Sequence, residues 1–148
     1  SKSFHQSLQK HFCWRMGIED IDSKNLNEIM VIILNESEKN KIDFANMFYD
    51  FYGGKNSILD CIKTNYGKKY KINEFSKVVE ILKESFPSKG ALEKKHELDN
   101  NRQNMLINEV EQIWSEIDKN DNWALLNEKI YNVRRLGNLL ESKKLVNF

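Results

Sequence analysis

A single proline, Pro87, stands in the whole chain of 148 residues. Because a proline inside a helix costs about 3 kcal/mol, this scarcity leaves long segments free to be helical. Apolar side chains also recur every three or four residues along most of the chain, as they do on the buried side of an amphipathic helix. The sequence therefore predicts an all-α fold, a compact and irregular bundle of six to eight helices without a sheet.

The composition is that of a globular protein. Hydrophobic residues make up 40% of the chain and charged residues 30%, values that exclude a disordered chain. The length fits one core, so we expect a single helical domain over residues 1–148. The chain begins with serine and not with methionine, which suggests a piece of a longer protein.

Charge and cysteine usage indicate the environment. The 23 basic and 22 acidic residues nearly cancel, which gives no support to a nucleic-acid partner. No apolar run reaches the ~18 residues of a membrane span, and the first residues lack the layout of a signal peptide. Cys13 and Cys61 are far apart and form no CxxC pair. We therefore expect a cytoplasmic protein with two reduced, mostly buried thiols and no membrane contact.

Glycine, proline and capping residues divide the apolar pattern into segments. Gly17 and the pair at 53–54 follow helices, and Pro87 pushes its preceding residue out of the helical region. The residues at 99–101 compete with the helical backbone, so we expect a long helix over residues 91–117 to break there. The first predicted helix spans residues 3–16. A central helix follows, capped by one of residues 20–23, and frays over 36–40. Three more span residues 44–52 capped by Asp43, residues 57–65 capped by Ser57, and residues 73–86 capped by Asn73. A last helix is capped by Asp121 or Asn122, and Gly137 ends or bends it.

Two groups of residues have some features of a metal site. Residues 118–122 carry alternating oxygen side chains like the start of a calcium loop, but Trp123 and Lys129 replace the required glycine and glutamate. His11 and Cys13 are two residues apart, so on a helix they point in different directions. We expect a polar joint at the first and ordinary packing at the second, with no metal and no cofactor.

Catalytic motifs are missing as well. The chain has no GxSxG and no GxxxxGK[ST]. The glycine-rich run at 53–57 precedes a helix, where an anion could bind, but it follows a helix and not a strand. We expect it to be a helix stop followed by a cap. We predict no catalytic residue; whether the protein is an enzyme stays open, and the missing motifs favour that it is not.

The aromatic residues suggest a core and a surface. Aromatic stripes at helical spacing, above all residues 44–52, are expected in the core. Trp123 lies at the start of a predicted helix, where we expect it to be partly exposed and able to act as an interface anchor. Tyr131 with Arg134 and Arg135 is either a cluster for an acidic partner or a set of ordinary surface charges. These four residues are the predicted interaction surface.

Five stretches resemble the C-terminal helical region of the selenoprotein O family of protein adenylyltransferase pseudokinases. Residues 15–18 and the apolar helix at 26–34 are similar to its R/K-L-G-hydrophobic turn and following helix. Residues 41–48 resemble its D-[FY]-T-x-x-F-R segment. Residues 102–109 and 121–127 are similar to its L-R-N-x-L-A-x-E and G-D-[FY]-x-x-[LV]-N stretches. The resemblance implies an accessory helical region.

The chain departs from that family at two places. Tyr49 stands where the family has arginine, and residues 97–101 stand where it has Asn-Pro. The family's nucleotide-binding lobe and metal-binding residues would lie upstream of Ser1. The resemblance thus implies a scaffold that carries no catalytic residue itself.

Three functions are open from the sequence. The leading interpretation is a non-catalytic interaction or regulatory module that presents a groove or an aromatic patch to a protein partner. The alternative is the accessory C-terminal region of a kinase-like nucleotidyl transferase, whose catalytic lobe is not in this chain. A third is a nucleic-acid adaptor using residues 68–71 with Arg134 and Arg135. The partner's identity and the oligomeric state are not determined by the sequence.

Overall fold

The computed structural model describes residues 2–40, 42–104 and 106–141. These residues form eight α-helices, one 3-10 helix and no strand, which confirms the predicted all-α fold. The elements in chain order are α1 (Lys2–Met16), α2 (Ser23–Asn40), α3 (Phe44–Asp50), α4 (Lys55–Ile62), the 3-10 helix (Tyr66–Lys71), α5 (Phe75–Leu82), α6 (Ala91–Asn100), α7 (Ile107–Asn120) and α8 (Ala124–Glu141).

Helices α1 to α5 and the 3-10 helix share one apolar core. Met16 of α1, Ile29 of α2 and Met47 of α3 are fully buried in it. Phe51 packs against Tyr70 with ring centroids 4.7 Å apart. The aromatic segment after Asp43 therefore lies in the core, as its spacing predicts, and we call this core with its helices the body.

A second apolar cluster attaches the C-terminal part of the chain to the body. It joins Tyr49 and Tyr52 to Leu98 of α6 and to Leu139 and Leu140 of α8. No residue of α7 belongs to either cluster. The C-terminal half of α8 is thus packed on the body, whereas α7 packs mainly against α8.

Several predicted boundaries and caps are confirmed. The long helix breaks after Asn100 and resumes at Ile107. Asp43 caps α3, because its carboxylate accepts the backbone N–H of Asn46 at 3.3 Å. Gly17 has a φ of +66°, the left-handed conformation expected where α1 ends.

Three predictions of the helix pattern are wrong. Helix α4 begins at Lys55, and Ser57 does not cap it but lies buried inside it, donating to the Tyr52 carbonyl at 2.5 Å. Asn73 does not cap α5, whose N-cap is Glu74. Helix α2 continues through residues 36–40. Of the two alternatives for Gly137, an end of α8 is excluded, because α8 runs on to Glu141.

The predicted end of α5 at Pro87 is also wrong, and the structure gives the reason. The helix stops at Leu82, and the segment that follows turns back toward the end of α1. There the Glu19 N–H donates to the Phe86 carbonyl at 3.0 Å, and the Ser88 N–H donates to the Gly17 carbonyl at 2.9 Å. These tertiary hydrogen bonds replace the last helical turns, so the proline lies beyond the helix and not at its end.

Candidate functional site

Helices α7 and α8 form a helical hairpin with a three-residue connection, residues 121–123. Asp121 has a φ of +46° and donates its N–H to the Ile117 carbonyl at 3.1 Å, which closes α7. The Asn122 side chain accepts the Ala124 N–H at 3.1 Å at the start of α8, so of the two predicted capping residues, Asp121 and Asn122, it is Asn122 that bonds this helix end. A connection this short makes the two helices antiparallel neighbours.

A buried lysine ties the hairpin together at its base. Lys129 of α8 is only 8% exposed, and its Nζ lies 3.0 Å from the Glu109 carboxylate of α7. The same ammonium donates to the Gln103 side chain at 3.1 Å and to the Asn104 carbonyl at 2.8 Å. One cation therefore fixes α7, α8 and the segment that precedes α7 relative to one another.

That preceding segment, residues 101–104, is fastened to the body through Tyr49. The Tyr49 hydroxyl donates to the Gln103 carbonyl at 2.9 Å and accepts the Gln103 N–H at 3.0 Å. Arg15 stacks on the Tyr49 ring, with its guanidinium carbon 4.5 Å from the ring centroid. The base of the hairpin is thus bonded to α3 through Tyr49, whose ring also contacts α1.

A buried carboxylate, Asp50, provides the second fastening. It lies 2.8 Å from the guanidinium of Arg102 and accepts hydrogen bonds from Tyr70 at 2.6 Å and Tyr66 at 2.8 Å. Burial and the hydrogen bond to Asp50 raise the pKa of Tyr70, so this hydroxyl stays a donor. Burial alone would lower the pKa of Arg102, but its hydrogen bonds to Asp99 and Asp50 outweigh burial and raise it.

The apolar stripe of α7 is open to solvent. None of the residues of α7 is buried, although their spacing is that of an amphipathic helix. Ile107 is 75% exposed and Trp114 is 64% exposed, with Leu106 and Val110 also exposed. The prediction that aromatic stripes lie in the core is therefore wrong for this helix.

Helix α8 carries a matching stripe on the same side of the hairpin. The two helices meet at the contact between Glu109 of α7 and Lys129 of α8. Around the axis of each helix, viewed from its N-terminus, the apolar stripe is rotated by about a quarter turn from this contact, and the direction of rotation is the same on both helices. In an antiparallel pair that geometry brings both stripes to one side. We call this surface the hairpin face; it consists of Leu106, Ile107, Val110, Trp114, Ile117, Leu126, Ile130 and Val133.

The four residues predicted as an interaction surface lie on or next to α8. Trp123 is 50% exposed, as expected of an interface anchor, and Tyr131 is 65% exposed. Their spacing places Trp123 and Arg134 on one side of the helix, with Tyr131 beside them. Arg135 is half-buried and has a contact of its own, so it does not join them.

The sequence prediction missed the hairpin face itself. Val110 and Trp114 follow the pattern of a core helix, and nothing in that pattern distinguishes an open stripe from a covered one. One signal was available: the joint at residues 118–122 is short and residues 99–104, at the end of α6 and just after it, are all polar. A helix in that position has only α8 as an apolar neighbour.

Other clefts of the described chain show no arrangement of side chains that could hold a metal ion. One of them is an open cleft of about 820 Å³ beside α1, lined by His11, Cys13 and Trp14 among others. Neither this cleft nor any other part of the described chain holds three or more side chains placed to bind a metal ion. At the start of α4, the Lys55 N–H donates to the Ser85 carbonyl at 3.0 Å, so a protein group occupies the position an anion would take. None of the described helices has the length and apolar character needed to cross a membrane.

The two thiols are poor nucleophiles at neutral pH. Burial, followed by the charge of Asp20, raises the pKa of Cys13 from 9.0 to about 11. Burial, followed by the charge of Asp50, raises the pKa of Cys61 to about 11 as well. Cys13 is buried and Cys61 is half-buried, and neither is in a disulfide. Both are therefore protonated at neutral pH, unlike the thiolate of a cysteine enzyme.

We expect iodoacetamide to alkylate both cysteines about 100-fold more slowly in the folded protein than in urea at pH 8, since each pKa unit lowers the thiolate fraction tenfold. Mass spectrometry of the single variants Cys13→Ser and Cys61→Ser assigns a rate to each thiol. A folded-state rate equal to the rate in urea at either position would contradict the burial described above.

No family model, curated protein or solved structure matches the chain. The resemblance to the selenoprotein O family therefore remains a prediction from the sequence.

Proposed function

We propose that this chain is a non-catalytic protein-binding module and that the hairpin face is its binding surface. The observation that supports the proposal is the exposure of the α7 stripe, with Trp114 at its middle. Aromatic side chains are enriched at the centres of protein interfaces, and contiguous exposed apolar patches mark docking sites. A module that docks on another protein needs no catalytic group.

The anchoring of the hairpin supports the same proposal. Tyr49, Asp50 and Lys129 hold its base by hydrogen bonds and ion pairs at 2.8–3.1 Å. A binding surface that is already ordered loses less conformational entropy when its partner binds. The two helices thus present their apolar side in one fixed arrangement.

Photo-cross-linking tests the proposal. With benzoylphenylalanine at position 114, we expect a discrete covalent adduct in a lysate of the source organism, because a bound partner would lie within reach of that side chain. The control carries the same group at position 72. Ile72 is exposed like Trp114, at 50%, but it lies outside the hairpin. Equal adduct formation at both positions, or none at position 114, would refute the proposal.

A further inference from the structure

We infer that the occupant of the hairpin face is a second copy of this chain. Two hairpins would pack face to face as an antiparallel four-helix bundle, with α7 of each copy lying over α8 of the other. This inference rests on the proposed binding function and names its partner. It follows from the charges that border the face and from the size of the face.

The outer edge of α7 is acidic. Glu111 and Asp118 are seven residues apart, which places them on one side of the helix, and both flank Trp114. Both side chains are exposed, and within the described residues neither forms an ion pair. The α7 border of the hairpin face therefore carries two free negative charges.

The outer edge of α8 is basic. Arg134 follows Ile130 by one helical turn and lies next to it at the border of the face. It is exposed, and it has no carboxylate partner among the residues that the structure describes. A partner for the whole face therefore needs an apolar middle, a basic edge over α7 and an acidic edge over α8.

The hairpin face meets this requirement itself. A two-fold axis parallel to the helices, running between two such faces, places α7 of one copy over α8 of the other. Glu111 and Asp118 of each copy then face the edge that carries Arg134 of the other. An axis perpendicular to the helices would instead place α7 on α7, with acidic edge against acidic edge, and like charges disfavour that arrangement.

The size of the face agrees with a reversible dimer. Helix α7 has 14 residues and is therefore about 21 Å long, and two adjacent helices are about 20 Å wide. The flat area is on the order of 400 Å², and protruding side chains such as Trp114 add accessible surface to it. Specific complexes bury at least about 600 Å² on each partner, so the face lies near the lower limit and fits a weak, concentration-dependent dimer.

Sedimentation of the purified chain at low salt tests the inference. Between about 1 and 100 μM, a range suited to an interface of this size, we expect the mass to rise from 17.5 kDa toward twice that value. Trp114→Ala should raise the dissociation constant at least about 100-fold, because it removes a central side chain twice per dimer. A chain that stays monomeric at 100 μM, or a Trp114→Ala variant that dimerises unchanged, would overturn the inference.

A charge exchange tests the pairing of α7 with α8. Arg134→Glu should weaken the dimer about tenfold or more, and adding Glu111→Lys to it should restore most of the affinity. Lys68→Glu is the matched control, since it makes the same charge change on an exposed residue outside the hairpin. No restoration in the double variant would refute this packing.

The two proposals fail in different ways. A monomeric chain whose position-114 probe captures another protein would overturn the self-association and leave the binding function standing. A monomeric chain whose probe captures nothing would overturn both. Dichroism and thermal midpoints of each variant establish that it is folded, which exposed positions such as Trp114 and Arg134 permit.

Discussion

Replacement of Asp50 by alanine is expected to lower the free energy of unfolding by about 3 kcal/mol, the lower end of the range for breaking a buried ion pair. The carboxylate side chain is only 5% exposed and satisfies Arg102, Tyr70 and Tyr66 at once. Without it, the fully buried Tyr70 hydroxyl loses its carboxylate acceptor. The loss stays at the lower end because Arg102 keeps Asp99 at 2.7 Å and is itself 27% exposed.

The matched control is Asp99→Ala, measured by urea denaturation alongside Asp50→Ala. Asp99 also pairs with Arg102 and in addition with Lys95, but its side chain is 35% exposed. Water replaces the lost contacts of an exposed carboxylate, so we expect a change of about 1 kcal/mol or less. Equal losses in the two variants would mean that burial does not distinguish these carboxylates.

The substitution Gly67→Ala is expected to destabilise the protein by more than about 3 kcal/mol, beyond the usual range for overpacking. A Cβ atom at this position would lie 1.9 Å from the carbonyl oxygen of Cys61. The obstacle is backbone at the end of α4, so no side-chain rotation relieves it. The 3-10 helix would have to move away from α4, and the movement would carry Tyr70 away from Asp50.

The same substitution at Gly137 should have the opposite sign. Gly137 lies inside α8, and nothing lies within 4 Å of a Cβ atom built there. Alanine restricts the unfolded chain and favours the helix, so we expect a gain of about 0.5–1 kcal/mol. Urea denaturation of both variants in dilute solution measures the pair, and a destabilised Gly137→Ala or an unchanged Gly67→Ala would contradict these contacts.

The helices themselves could be predicted from local chemistry. Asp43 precedes an aromatic period and caps α3, and Gly17 ends α1 in the left-handed conformation that glycine adopts without strain. The break after Asn100 follows from side chains that compete with the helical backbone. These effects act over a few residues, so a sequence window contains all the groups involved.

Boundaries that depend on distant partners were not predictable in this way. Helix α5 ends before its own pattern does, because the segment around Phe86 pairs with the loop after Gly17. Ser57 has the residue type of a cap, yet its hydroxyl is used to bond the Tyr52 carbonyl inside the protein. For α5, tertiary hydrogen bonds outweigh a local preference of about 1 kcal/mol or less. For Ser57, the competing carbonyl lies only 5 residues earlier in the chain.

In the candidate site, too, some features were predictable from the sequence and others were not. The exposure of Trp123 at the start of α8 was predictable from its place beside a polar joint. The burial of Phe51 and the exposure of Trp114 were not predictable. Both residues belong to amphipathic patterns, but Phe51 is fully buried and Trp114 is 64% exposed. Whether a stripe is covered depends on which helices surround it, and that is a property of the packing.

The amino-acid sequence by itself determined that this protein is helical, where most of its helices lie and which side of each is apolar, because helix propensity, capping and periodicity are local. Only the tertiary structure decided that α1 to α5 enclose their apolar sides while α7 leaves its own open. The physical reason is that burial depends on neighbours brought close by the whole chain. Here Tyr49, Asp50 and Lys129 fix the base of the hairpin by hydrogen bonds and ion pairs, and no further helix among the described residues covers its face.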